Sequence, residues 1–145
     1  MKTFYTTIFL SLLFFPLLYS QDCTGYHQYH CTYADYTFFY SRQSKSTLFK
    51  RGQSSEFRII TYGGEEYYVA ICAHRKFGDV QFKIMEANNE RTLIYDNSQD
   101  NYATSVIFTN DVTRDLIIEV TVPPGSKNDN DRRCVGMLVE FKKIE

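Results

Sequence analysis

Leu116, Ile118, Val120 and Val122 occupy every second position of one stretch, and Pro123-Pro124-Gly125 ends it. A side-chain period of two belongs to a β-strand with one buried face, because successive Cβ atoms point to opposite sides of a sheet. A helix buries positions three and four apart and cannot use this pattern. The same alternation recurs in Val80-Gln81-Phe82-Lys83-Ile84, in Val106 and Phe108, and in Val135, Met137, Val139 and Phe141.

Further strands are expected from Ser55 to Tyr62, with Phe57 and Ile59 on one face, from Glu66 to Ala73, and from Thr92 to Tyr95. Tyr102 to Thr109 and Cys134 to Lys142 follow, and Thr47 to Lys50 reads as a short edge strand. Gly63-Gly64 supplies the positive φ angles of a tight hairpin, and Asn88-Asn89 supplies a second turn. Seven or eight strands, each with one apolar face, must bury those faces against a second sheet. The expected fold class is therefore all-β, an antiparallel, jelly-roll-like β-sandwich, with a small barrel as the competing closure.

The N-terminus reads differently. Lys2 precedes an apolar run from Phe4 to Leu18, and Leu18-Tyr19-Ser20 puts a small residue before Gln21. Residues 1–20 are expected to be a signal peptide and residues 21–145 a single domain, since the run is too short and too interrupted to span a bilayer. Asp22 stands where a lipobox needs a small residue, which argues against lipid attachment at Cys23. Removal of the leader takes one cation and leaves 125 residues with 15 basic and 17 acidic side chains. That balance excludes a polybasic nucleic-acid binder, and stable membrane insertion is not expected. The location implied is periplasmic or secreted.

Cys23, Cys31, Cys72 and Cys134 all follow the leader, and an even number in an exported chain reads as two bridges. Three pairings are open from sequence alone. Parity narrows them: Cys72 is out of phase with Val69 and Ile71, and Cys134 is out of phase with Val135 and Met137. Two cysteines opposite the core face can meet on neighbouring strands, so Cys72–Cys134 is expected, with Cys23–Cys31 by default.

Tyr26, Tyr29, Tyr33, Tyr36 and Tyr40 recur at intervals of three and four. Because Thr, His, Cys and Tyr form helices poorly, the pattern supports only a short helix near residues 24–33. Packing of this Tyr-rich segment across an open sheet edge is the plain reading, and a ligand-contacting surface at Tyr26, Tyr29 and Tyr33 is the functional one.

The runs Gln43-Ser44-Lys45-Ser46, Leu48-Phe49, Gly52-Gln53, Ile71-Cys72-Ala73, Val80 to Ile84, Leu93 to Asn97, Leu116 to Val120 and Cys134-Val135-Gly136 resemble those of small exported proteins of Bacteroidota-type bacteria. Gln21 after the leader is similar to that lineage too. The resemblance implies a periplasmic or secreted protein and no particular activity. A looser likeness, in strand order and in Leu93-Ile94-Tyr95-Asp96-Asn97, is to pre-peptidase C-terminal domains, and implies a noncatalytic β-sandwich.

Catalytic motifs are missing: there is no Gly-x-Ser-x-Gly, phosphate-binding glycine loop or His-Glu-x-x-His. Cys23, His27, His30 and Cys31 carry atoms suited to zinc, yet an oxidising compartment favours bridges. His74 reads as a solvated loop histidine. Glu65 and Glu66 point to opposite faces of a strand and cannot act as a carboxylate pair. Asp96 to Asn101 and Asn128 to Asp131 are oxygen-rich but lack the spaced calcium-loop pattern, so ordinary turns are expected. No catalytic, metal-ligating or cofactor-binding residue is assigned. The function expected is an exported noncatalytic binding or accessory module for a protein or cell-surface partner, acting through its tyrosines and the loop Ser126 to Arg133; the alternative is a glycan-binding module.

Overall fold

The computed structural model describes residues 22–126 and 129–145; the expected leader and the cleavage site at Gln21 lie outside them. A short helix, α1 (Tyr26–His30), precedes nine strands: β1 (Phe39–Tyr40), β2 (Lys45–Lys50), β3 (Ser54–Thr61), β4 (Glu65–Ala73), β5 (Gln81–Glu86), β6 (Leu93–Asp96), β7 (Ser105–Asn110), β8 (Arg114–Thr121) and β9 (Arg132–Lys143). The strand beyond the expected seven or eight is β1, too short for any period to show. No helix among the described residues is long and apolar enough to cross a membrane.

The strands form two antiparallel sheets. In the first, β9 is paired on one side with β1 and β2 and on the other with β4, which continues to β7. The second runs β3-β8-β5-β6. Phe49, Val69, Ile71, Val135, Met137 and Val139 of the first sheet meet Phe57, Ile59, Phe82, Ile84 and the alternating Leu116, Ile118 and Val120 of the second in one buried core. Each such side chain contributes roughly 1.5–3 kcal/mol when taken out of water.

Gly63-Gly64 does not close a hairpin. β3 pairs with β8, and β4 pairs with β7 and β9, so this turn carries the chain from one sheet to the other. Phe57 and Tyr67 are each apolar-face residues, but the alternation says only that both faces are buried, not that they lie in the same sheet. Gly64 takes the left-handed region at φ 77°, and a Cβ on Gly63 would fall 2.7 Å from the Asp111 carbonyl oxygen. Both glycines are thus explained without a hairpin.

The free edge of β3 is covered locally. Gln43, in the β1–β2 connection, accepts from the Ile60 amide at 2.6 Å and donates to the Ile60 carbonyl at 2.9 Å. One side-chain amide thereby mimics a strand partner and ties the two sheets together at this edge.

Candidate binding surface

The outer face of the first sheet is also apolar. Tyr68, Ala70 and Leu138 point away from the core, and they are buried by Cys31 and Phe38, with Ala34 half-buried beside them. The unbroken runs Tyr67 to Ile71 and Met137 to Val139 carry this signal in the sequence: a strand covered on both faces has no polar alternate positions.

The cover is the N-terminal segment. α1 begins at Gly25 in the left-handed region and crosses β9 above Gly136, where a Cβ would lie 2.8 Å from the His27 Cα. His27 is buried as an anchor, its backbone amide donating to Ser46 Oγ at 2.8 Å. Its ring bridges Ser46 Oγ, 2.7 Å from Nδ1, and Tyr40 OH, 2.9 Å from Nε2. Burial lowers the His27 pKa, which favours the neutral ring that such a bridge accommodates.

Two disulfides fasten this cover to the sheet, and they join Cys23 to Cys134 and Cys31 to Cys72. The expected pairing of Cys72 with Cys134, and of Cys23 with Cys31, is corrected. Parity placed Cys72 and Cys134 on one face of neighbouring strands, and they are there. Register separates them: Cys72 lies opposite Gly136, two positions along β9 from Cys134. Cysteines on either side of α1 reach down to each of them instead. With both bridged to the sheet, Cys23 and Cys31 are not available to the zinc arrangement with His27 and His30.

The segment packs through its non-tyrosine positions. His27, Cys31 and Phe38 face the sheet, whereas Tyr29 is 82% and Tyr36 96% exposed. Tyr33, Phe39 and Tyr40 are also exposed, and Tyr26 is half-buried with its ring stacked on His30 at 4.1 Å. The expectation that the tyrosines themselves pack the segment across a sheet edge is therefore corrected, because the sheet face is filled by the residues between them. The Tyr33 hydroxyl donates to the Gln28 carbonyl at 3.3 Å, and the Gln28 side chain donates to Tyr40 OH at 3.5 Å. Directly opposite Tyr40 on β9 is Glu140, whose Oε2 accepts from the Ala34 amide at 2.6 Å. Glu140, Tyr40 and Gln28 carry no motif, and only the fold brings them beside Tyr33.

A separate crevice of about 240 Å³ opens just before β7 begins at Ser105, where β4 runs on to Ala73, lined among others by His30, Thr32, Asp79, Tyr102 and the buried Asn97. Asn97 is fully engaged: Oδ1 accepts from the Phe82 amide at 2.8 Å, and Nδ2 donates to the carbonyls of Val80 and Ala103. His30 and Asp79, both at this crevice, make no ion pair with each other.

The remaining sequence candidates sit in structural roles. Asp96 accepts from the Ser98 amide and from Gln81, and Asp100 from the Tyr95 hydroxyl, so both carboxylates of the first oxygen-rich loop are engaged in local hydrogen bonds. In the second, Asp129 pairs with Arg51 and Asp131 with Arg133, each at 2.8 Å, while Asn128 lies outside the described residues. No group of three His, Cys, Asp or Glu side chains that could hold a metal ion occurs among the described residues. His74 is half-buried and caps a 3-10 turn by accepting from the Lys76 amide at 3.2 Å. Glu65 bonds Tyr67 and Glu66 pairs with Lys142, on opposite faces of β4. Arg133, which ends the second loop, and Glu140 are seven positions apart on β9, about 23 Å at strand spacing.

No family model matches the chain, and no curated protein does. Among solved structures the chain is similar to Aeromonas hydrophila PliG, a periplasmic lysozyme inhibitor of g-type lysozyme, with a TM-score of 0.52 and 11% identity over 77% of this chain and 93% of that one. The likeness is one of fold.

Proposed function

We propose that this domain is an exported, noncatalytic protein-binding module whose contact surface is the disulfide-fastened N-terminal segment. The observation that carries the reading is the inversion of that segment: His27, Cys31 and Phe38 are spent on the sheet, and Tyr29, Tyr33, Tyr36 and Tyr40 are turned to solvent on a backbone held by two bridges. Exposed tyrosines on a fixed backbone give large contact area with little ordering cost, which favours association. Structural disulfides persist in oxidising compartments, in keeping with export and with the resemblance to exported Bacteroidota-type proteins. PliG, of similar fold, is described as a periplasmic inhibitor of a lysozyme, so a secreted or periplasmic hydrolase is the first class of partner to try.

Photocrosslinking from Tyr29 in the exporting cell tests this reading, followed by calorimetry with the purified crosslinked protein and with a g-type lysozyme. A crosslinked polypeptide whose binding is lost on Tyr29→Ala, with an unchanged melting curve, is the expected result. Crosslinks confined to oligosaccharide would transfer the assignment to the glycan-binding alternative. Turnover of a glycoside, ester or peptide that disappears on replacing one His or carboxylate would overturn the noncatalytic reading.

A further inference from the structure

Glu140 is 4% exposed, and its hydrogen bond from Ala34 uses only part of what a carboxylate can accept. Among the described residues no Lys, Arg or His forms an ion pair with it. Lys142, two positions along the same face of β9, is committed elsewhere, with Nζ 2.7 Å from Glu66 and 4.6 Å from the centre of the Phe38 ring. A buried acidic group without a counter-charge is costly to keep in a face that otherwise carries Tyr68, Ala70 and Leu138.

Tyrosines neighbour this group through strand pairing and hydrogen bonds. Tyr40 is its cross-strand partner, Tyr33 precedes the residue that donates to it, and Gln28 links Tyr33 to Tyr40. Tyr29, on α1, follows Gln28 and is open to solvent. The Tyr33 phenol is raised above its ordinary pKa by burial first and then by the acidic groups Glu140, Tyr40 and Tyr29. Tyrosine faces are negative by their quadrupole, and a carboxylate behind them in a poorly screened position deepens the same potential.

We propose that Tyr29, Tyr33 and Tyr40, backed by Glu140, form a receptor for a cationic side chain, an arginine or lysine, presented by the partner protein. This deepens the protein-binding reading and rests on it. Arginine fits better than lysine, since a planar guanidinium can lie flat on a tyrosine ring. A glycan would use the same rings but would gain little from Glu140, and a metal ion would need more oxygen donors than one carboxylate supplies.

The test is an NMR titration of the full oxidised protein with N-acetyl-Gly-Arg-Gly-amide and with the same peptide carrying neutral citrulline. The arginine peptide is expected to shift the ring signals of Tyr29, Tyr33 and Tyr40, with citrulline binding at least fivefold more weakly. Cation–π contact alone is a factor of about 2 to 30 in affinity. Glu140→Gln keeps an acceptor for the Ala34 amide and removes the charge, and should weaken the arginine peptide about tenfold. Tyr33→Leu should do the same by removing a ring, and is the second route if the Gln variant folds poorly. Tyr62→Ala, on the β3–β4 turn, should bind as the parent does. Equal affinity for the two peptides, an unaffected Glu140→Gln, or no ring shifts at millimolar peptide would each overturn the inference. A crosslinked partner whose binding survives Glu140→Gln would remove the cation receptor while leaving the protein-binding reading in place, so the two fail separately.

Discussion

Gly136 on β9 lies directly beneath His27 of α1, with room for a hydrogen and none for a methyl: a Cβ there would stand 2.8 Å from both the His27 Cα and Cβ and 2.9 Å from Cys72 Sγ. Two of those atoms are on the helix that Cys23 and Cys31 flank, and the third belongs to a bridge, so none can step aside freely. Gly136→Ala should lift α1 off the sheet and cost about 1–3 kcal/mol by overpacking. Urea unfolding of the variant checks this, and an unchanged midpoint would mean that the helix does not sit against β9.

The two bridges should be recovered by nonreducing peptide mapping as Cys23–Cys134 and Cys31–Cys72. Their sequence separations are 111 and 41, for which loop-closure entropy gives upper values of about 5 and about 4 kcal/mol. Because the loops overlap, the two contributions do not add. Paired serine replacements at 23 and 134, and separately at 31 and 72, should each lower the unfolding free energy within those bounds. A Cys72–Cys134 peptide would contradict the observed arrangement.

How much of this was legible follows from what a period of two encodes. It reports the face of a strand and nothing about its neighbour, so Phe57 and Ile59 could be assigned inward while β3 was joined to the wrong strand at Gly63-Gly64. It reports that Cys72 and Cys134 share a face, but a register offset of two residues changes the bond each one makes. The tyrosine spacing indicated a short helix, and α1 is there; which side of the segment is buried depends on a sheet whose outer face is apolar, and Tyr68 and Leu138 were the unread sign of it. Glu140 could not be found at all, since its neighbours Ala34 and Tyr40 come from distant parts of the chain.

Acid should loosen the N-terminal cover before the core. Burial lowers the His27 pKa below its ordinary value of 6.5, and His74 is lowered by desolvation first and then by the charges of Arg133, Lys76 and Arg75. Below pH 6.5 the unfolded chain binds protons that the folded one does not. The stability these neutral rings contribute is therefore complete above pH 6.5 and declines as pH falls toward the depressed folded values. Melting temperature between pH 7.5 and pH 5 should drop more steeply for the parent than for His27→Gln. A histidine titration that puts His27 above 6.5 in the folded protein would reverse the sign and refute this.

Gln43→Ala should uncover the backbone of β3 at Ile60, whose amide and carbonyl it now holds. An unsatisfied strand edge recruits other strands, and Ile60 and Tyr62 are already exposed beside it. Light scattering at rising concentration should show increased self-association, together with a stability loss of about 1–2 kcal/mol. Monodisperse behaviour at the concentrations where the parent is monodisperse would show that the edge is protected some other way.

Tyr36 and Phe38 stand two residues apart in the same segment and should respond in opposite ways to truncation. Tyr36 is 96% exposed and holds nothing in place, so Tyr36→Ala should change stability by less than about 0.5 kcal/mol. Phe38 is buried against the outer face of the first sheet, edge-on to Tyr68 at 6.2 Å and beneath the Lys142 ammonium. Removing its ring leaves a cavity over Tyr68 and Leu138, for which about 3–5 kcal/mol is expected. Hydrogen exchange places that loss. Protection should fall first in the amides that hold the segment down, Ala34 to Glu140 and His27 to Ser46, while the Leu116 to Val120 amides of β8 stay protected. Equal loss across both sheets would mean that the N-terminal cover and the sandwich core unfold as one unit, and that the contact surface is not a separable layer on the fold.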